Sequence, residues 1–344
     1  MRLVHVGART PRRVSLIRRF HHVPALLSAA LLMTGCGVLG GTSSSQSGSR
    51  GLAITVAAVP GVGDAPLYVA RTAGLFRQHG LNVTIRDYAS VKQEIQALSQ
   101  GRANIAAGDY ADFFYTESHA RLPLRLIADG YDAAPNVMEV MTQSGSTITS
   151  PQDLVGKIIA TPAAQAIPVT STIPYSIEMM ATQAVLGSDG VSASSITWDP
   201  MPEQDMVGAL QSGKVDAILV TEPYILDAET KLGAVAVLDS CSGVTAALPL
   251  LGYFGLNAFA SAHPQAVQEF RSALLQAQSD AALRAPVQAT LVSSMGMSSQ
   301  NAGLLTLGDY PTFLSTTQVQ RVADLMYDAG MISSPLTVQT LVSK

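Results

Sequence analysis

Cysteine is almost missing from this chain: 344 residues contain two, Cys36 and Cys241. So few exclude a disulfide framework and any zinc site built on cysteine. Charge is also sparse, at 13% Asp, Glu, Lys and Arg, and aromatic residues make up only 6%, with a single Trp. No apolar run reaches the roughly 20 residues that a membrane-spanning helix requires. Motifs of hydrolytic and nucleotide chemistry are missing as well: there is no G-x-S-x-G elbow, no H-E-x-x-H helix and no P-loop. The doublet Gly61 and Gly63 lacks the third glycine of a dinucleotide fingerprint and reads as a turn permitting close backbone approach.

What is present begins with an export signal. Arg12, Arg13, Arg18 and Arg19 precede a short apolar run at 23–33, followed by Thr34, Gly35 and Cys36. A basic region, a short apolar core and small residues make a secretory signal. The stretch ending in Cys36 resembles the bacterial lipobox, with Met33 in place of the usual Leu; that resemblance implies lipid attachment at Cys36, through which the chain is held at the membrane. The alternative is an ordinary signal peptide with an incidental cysteine, and Arg12-Arg13 leaves twin-arginine export open beside the general route. Residues 37–50 are nearly all Gly, Ser, Thr and Gln, a flexible tether composition. The expected division is therefore a signal at 1–35, a tether at 36–51 and a folded part from 52.

Six of the 21 Lys and Arg lie in the signal and none of the 25 Asp and Glu does, which leaves 15 basic against 25 acidic residues and a net charge near −10. Nucleic acid, which needs a basic face, is excluded as a partner. The remaining length suffices for a large core or two lobes.

Along the folded part, apolar strand segments alternate with helical ones. A strand at 54–59 leads through the turn 60–65 to a helix opened by Pro66 and stopped by Gly74; a strand at 82–85 and a helix capped by Ser90 follow. The same order starts again after a polar stretch at 142–149. This alternation makes an α/β protein with parallel-rich sheets and helices on both faces. Two segments echo one another: ALSQGRANIAAGDY at 97–110 and ALQSGKVDAILVTEPY at 209–224. Each runs from a helix end over Gly and a basic residue into an apolar strand, then ends on an acid and Tyr. Ligands of open α/β sheets gather at the carboxyl ends of strands, so two such units predict a cleft between two lobes.

The motifs APLYVA (65–70), GLF (74–76), GLNV (80–83), DLVGK (153–157), GKVDA (213–217) and EP (222–223) resemble, in this order, the solute-binding components of ABC importers for sulfonates, nitrate and thiamine-precursor pyrimidines. The resemblance implies a two-lobed periplasmic-binding-protein-like fold of type II whose hinge is two crossing strands. It implies lobe 1 at 52–141 and 256–344, lobe 2 at 142–255, a monomer without cofactor or metal, and delivery of a small molecule to a membrane permease driven by a cytoplasmic ATPase. It places the ligand against the turn holding Asp64 and Pro66, against Asp109 and Tyr110, Asp129 and Tyr131, against the turn from Thr161 to Thr172, and against Glu222 and Tyr224.

Each of these residues also has a purely structural reading: Asp64 and Thr172 as helix caps, Asp129 as a turn residue, the tyrosines as core aromatics, Glu222 as a hinge acid. None of the five segments contains Lys or Arg, and Lys92 alone is a cationic neighbour. The acids oppose an anion at the mouth, so the expected ligand is a neutral or cationic heterocycle such as a thiamine-precursor pyrimidine, with a sulfonate or nitrate as the alternative. An enzyme of pyrimidine synthesis on the same fold is disfavoured because no cysteine-rich motif is present. A sensor module reporting to a receptor would need the same closing jaw.

Overall fold

The computed structural model describes residues 51–163 and 176–342. Cys36, Thr172, the signal and most of the tether lie outside them. Two five-stranded sheets form the frame. In the first, β1 (Leu52–Ala58) pairs in parallel with β2 (Leu81–Asp87) and β3 (Ile105–Asp109). In the second, β6 (Ile158–Pro162) pairs in parallel with β7 (Thr197–Met201) and β8 (Ala217–Thr221). Each sheet is completed by one reversed strand and one more beyond it. For the first sheet these are β10 (Pro249–Leu256) and β4 (Leu124–Asp132); for the second they are β5 (Met138–Thr142) and β9 (Val235–Asp239).

The two reversed strands are the ones that arrive from the other lobe. After β4 the chain crosses at 133–137 into β5, and after β9 it returns at 240–248 into β10. The crossings support one another, since Ala133 N–H donates to the Leu248 carbonyl at 2.8 Å and Ser240 N–H to the Met138 carbonyl at 2.9 Å. The architecture is the expected two-lobed α/β fold, but strand pairing shifts its boundaries. β5, assigned from sequence to lobe 1, is hydrogen-bonded into the second sheet, and β10, assigned to lobe 2, lies inside the first. Apolar patterning marks both segments as strands but carries no record of which sheet supplies their partners.

Helices follow the strands. Those facing the cleft are α1 (Ala65–Thr72), α3 (Val91–Ser99) and α4 (Tyr110–Ala120) in the first lobe, with α5 (Ile177–Ser188), α6 (Glu203–Gln211) and α7 (Tyr224–Leu232) in the second. A short α2 (Leu75–Gln78) enters after Gly74, whose φ of 72° is the left-handed backbone that glycine accepts without strain. Ser90 caps α3 as expected, its Oγ accepting from Gln93 N–H.

The C-terminal part continues through α8 (Asn257–Ala262), α9 (Pro264–Ala281), α10 (Ala285–Met295), α11 (Ser299–Leu304) and α12 (Thr316–Asp328). The stripe Val267, Phe270, Ala273, Leu274 and Ala277 of α9 is buried against the first lobe, where Phe270 stacks on Phe76 at 5.3 Å. Helix α12 packs on α4 and also touches α5 of the other lobe. No helix among the described residues is long and apolar enough to cross a membrane.

Candidate functional site

A cavity of about 340 Å³ lies between the carboxyl ends of the two sheets. Its walls come from the 59–64 turn, the first turns of α3 and α4, and Tyr131, Leu250 and Leu251 on the first lobe. The second lobe supplies Met138, Pro162, Ala163, residues 176–178, Glu203 and residues 221–224. Six helices therefore present their N-termini to one space. Such ends carry unpaired N–H groups and a partial positive charge, and by themselves attract anions.

Here every one of the six ends carries an acid of the chain itself. Asp64 precedes α1, Glu94 sits in α3, Asp109 and Asp112 open α4, Glu178 and Glu203 stand in the first turns of α5 and α6, and Glu222 precedes α7. Among the described residues no Lys, Arg or His lines the cavity. The candidate cation expected from sequence, Lys92, is exposed and is not part of the lining.

Asp64, Glu94 and Glu178 each hold a buried oxygen without a hydrogen-bond partner among the described residues. Asp64 is 2% exposed and Glu94 0%. Oδ1 of Asp64 and Oε2 of Glu178 make no hydrogen bond among the described residues. Neither oxygen of Glu94 has a well-formed one, the Val59 backbone being only a weak stabilising influence. Burial, with Asp87 nearby, pushes the Asp64 carboxyl up to about 8. Glu94 is held well above its ordinary range by burial and then by Asp64 and Asp109. Asp109 is likewise held well up by burial, then by Glu178, Asp112 and Glu203, so its field joins the two lobes. Burial and the neighbouring Glu178 push Glu203 up to about 7, although Thr221 donates to its Oε1 from both N–H and Oγ1 at 3.0 Å. All these shifts share one sense: the site resists its own negative charge.

Of the residues expected from sequence, Asp64, Asp109, Tyr131, Glu222 and Tyr224 line the cavity. Asp64 forms no side-chain cap bond to α1. Glu222 is largely committed to structure, since Oε1 accepts from Thr306 N–H at 2.8 Å and Oε2 from Leu226 N–H at 3.2 Å. Tyr131 is anchored as well, its hydroxyl accepting from Gly308 N–H at 2.6 Å.

Tyr110 and Asp129 do not reach the cavity. The Tyr110 ring is fully buried edge-on to Phe254 at 5.5 Å, and its hydroxyl donates to Asp129 Oδ1 at 2.8 Å, making a pair inside the first lobe. Asp129 borders instead a second cavity, of about 590 Å³, beside Asp132, Arg284 and Asp309. Pro66 and Thr161 are buried and also miss the lining; Pro162 and Ala163, next in the chain after Thr161, take its place.

The expectation missed Glu94, Asp112, Glu178 and Glu203. Their signal was present, because each is an acid in a helix's first turn. That position is ordinarily explained by the helix dipole alone.

Residues 63–289 match the family description "NMT1/THI5 like". The chain belongs to the NMT1/THI5-like family. The alkanesulfonate-binding protein SsuA from Xanthomonas axonopodis pv. citri, bound to MOPS, is 19% identical over 84% of this chain and 97% of its own, with a TM-score of 0.68. The periplasmic aliphatic sulphonate binding protein SsuA from Escherichia coli is 16% identical over 85% and 97%, with a TM-score of 0.69. The desulfurization enzyme DSZB is 14% identical over 84% and 96%, with a TM-score of 0.65. No curated protein sequence matches the chain. At these identities the likeness establishes the periplasmic-binding-protein fold, which this NMT1/THI5-like chain shares with both binding proteins and an enzyme.

Among the described residues neither Cys nor His lines the cavity. Cys241 is buried elsewhere, with burial pushing its thiol far up. His79 pairs with Glu269 at 2.9 Å, and His119 stacks on Tyr115 at 3.9 Å. Among the described residues no three His, Cys, Asp or Glu side chains are arranged to hold a metal ion.

Proposed function

We propose that this chain is the extracytoplasmic solute-binding component of an ABC importer and that it captures a small organic cation between its lobes. The observation that carries the reading is the ring of six helix N-termini, each bearing an acid, with no basic side chain among the described residues of the lining. An ammonium, amidinium or protonated heterocycle would supply the missing counter-charge, while Tyr131 and Tyr224 offer flat faces to a ring. A protonated aminopyrimidine, the thiamine-precursor type of ligand, meets both conditions.

The sulfonate reading is favoured by the ligand classes of the similar solved structures. Against it stands the local charge. Among the described residues a sulfonate would meet seven carboxyl groups and no cation, and the helix N-termini that attract anions already face the chain's own acids.

Export by the N-terminal signal, lipid attachment at Cys36, and delivery to a permease with its ATPase complete the proposal. The lobes are assigned to 52–132 with 249–342, and to 138–239, following the strand pairing. A thermal-shift panel of protonated amines, aminopyrimidines, alkanesulfonates and nitrate tests the ligand class. At 100 times its Kd a true ligand adds about 2.7 kcal/mol of stability. Stabilisation by organic cations is expected, and stabilisation by sulfonates alone would overturn the charge argument.

A further inference from the structure

We infer that Glu203 is the acid that grips the ligand's cationic group and that Thr221 is the positioning residue that aims it. The group accepted there bears N–H bonds, as a primary ammonium or an amidinium does and a fully alkylated ammonium does not. The inference rests on the reading of the cleft as a cation site and assigns recognition to one of the seven acids on its lining.

Those acids are not equivalent. Glu222 has both oxygens held, Oε1 by Thr306 N–H at 2.8 Å and Oε2 by Leu226 N–H at 3.2 Å. Glu94, Asp64 and Asp112 are 0%, 2% and 6% exposed, so a molecule in the cavity meets little of any of them. Glu178 turns back on the start of α5, where Ser176 and its own N–H are donors to it, and its Oε2 is enclosed. Asp109 is half-buried and forms no side-chain cap bond with α4.

Glu203 is both held and reachable. It is half-buried on the cavity wall, and its Oε1 accepts from Thr221 N–H and from Thr221 Oγ1, each at 3.0 Å. Two donors converging on one oxygen hold the carboxyl in one orientation. Oε2, which takes no hydrogen bond from the described residues, is the atom left for a ligand. Pro202, the N-cap of α6, makes no side-chain cap bond; the acid that follows it reaches instead to the tip of β8, whose last residue is Thr221. Strand tips of this kind are where ligands of α/β sheets gather.

A carboxylate oxygen held in one direction accepts a directed, charge-assisted bond from the N–H of a cation. A fully alkylated ammonium has no such bond to give and is held elsewhere by a cage of aromatic faces. Among the described residues the lining has two aromatic side chains, Tyr131 on one lobe and Tyr224 on the other, too few for a cage. Tyr224 adjoins Glu203: burial, and then the charge of Glu203, push its phenol above the ordinary range. A ring laid on Tyr224 would bring an amino or amidino substituent to Glu203 Oε2.

The test is isothermal calorimetry on the mature protein at about pH 8, above the value of about 7 at which Glu203 ionises. Benzylamine, benzamidine and benzyltrimethylammonium share a ring and a positive charge, and only the first two carry N–H on the charged group; methanesulfonate is the anionic control. Benzylamine or benzamidine should bind about thirty-fold more tightly than benzyltrimethylammonium, the difference expected when a desolvated charged hydrogen bond cannot form. Glu203→Gln keeps an acceptor for Thr221 and should shrink that preference to about threefold or less. Thr221→Val removes the Oγ1 donor and should lower the preference by about fivefold. Thr221→Ser, which keeps the hydroxyl, should restore it.

A purely structural role for either residue would weaken all three cations alike. If Glu203→Gln does not fold, the two Thr221 variants carry the same test. An amine no tighter than benzyltrimethylammonium, or a preference that survives the substitutions, overturns the inference and spares the cation reading. A parent protein that binds none of the three cations, with or without methanesulfonate, overturns both.

Discussion

At the scale of the residue, Asp64 states the site's chemistry most clearly. Its carboxyl is held at about 8 in the folded protein against an ordinary 3.8. The unfolded chain therefore ionises first as pH rises, and folding takes up a proton between these values. The penalty is nil below about pH 4, grows through the interval, and is complete above about pH 8. Asp64→Asn should raise the melting temperature of the ligand-free protein by several degrees at pH 8 and leave it unchanged at pH 4. Scanning calorimetry at both values decides, and equal shifts at the two would refute the burial argument.

Tyr110 gives the contrasting case. Removing its hydroxyl leaves Oδ1 of buried Asp129 with the Gly130 N–H as its donor among the described residues. Tyr110→Phe should cost about 1–3 kcal/mol in denaturant unfolding while leaving ligand affinity unchanged. Asp64 and Asp109 were legible from sequence because a strand's carboxyl end fixes where the chain arrives. Tyr110 was not, because as the first residue of α4 it turns behind the sheet, a direction set by helix phase and by the space beside Phe254.

At the scale of the element, the sequence echo survives in the backbone. Gly101 and Gly213 have φ of 68° and 70°, and Arg102 and Lys214 N–H donate to the Ala97 and Ala209 carbonyls at 2.8 and 3.0 Å. Strands β3 and β8 occupy the third position of their sheets. The echo ends at the tips, where Tyr110 enters the core and Tyr224 lines the cavity.

The neighbour of β3 in the first sheet is β10, and its Gly252 has no room for a side chain. A Cβ there would meet Tyr110 Cζ at 2.7 Å. Gly252→Ala should destabilise by about 1–3 kcal/mol through overpacking. Combined with Tyr110→Phe it should cost less than the two changes added together, since the ring can then shift; strict additivity in a double-mutant cycle would contradict the contact.

At the scale of the whole molecule, acids from both lobes act as one charged field. Asp64, Glu94, Asp109, Asp112, Glu178, Glu203 and Glu222 face the cavity from every helix around it. With Glu203 held at about 7 and Asp64 at about 8, a cation that binds favours ionised carboxyls and releases protons. Its affinity should rise with pH by about tenfold per unit for each proton released and level off above about pH 8. An anion would show the opposite slope, gaining affinity as pH falls. Calorimetry in two buffers of different ionisation enthalpy reads the sign directly, and proton uptake on binding would exclude a cationic ligand.

The sequence by itself determined the alternation of strands and helices, the two-lobed α/β class, the scarcity of positive charge and the acids at strand tips. These are local properties, written in periodicity, caps and composition. Only the tertiary structure decided that β5 and β10 exchange lobes, because a strand's partner is chosen by contacts far away in the chain. It also decided that Glu94, Glu178 and Glu203 share one cavity with Asp64 and Asp109. In sequence each was an ordinary first-turn acid beside its own helix; the convergence of six helix ends makes them one unneutralised site.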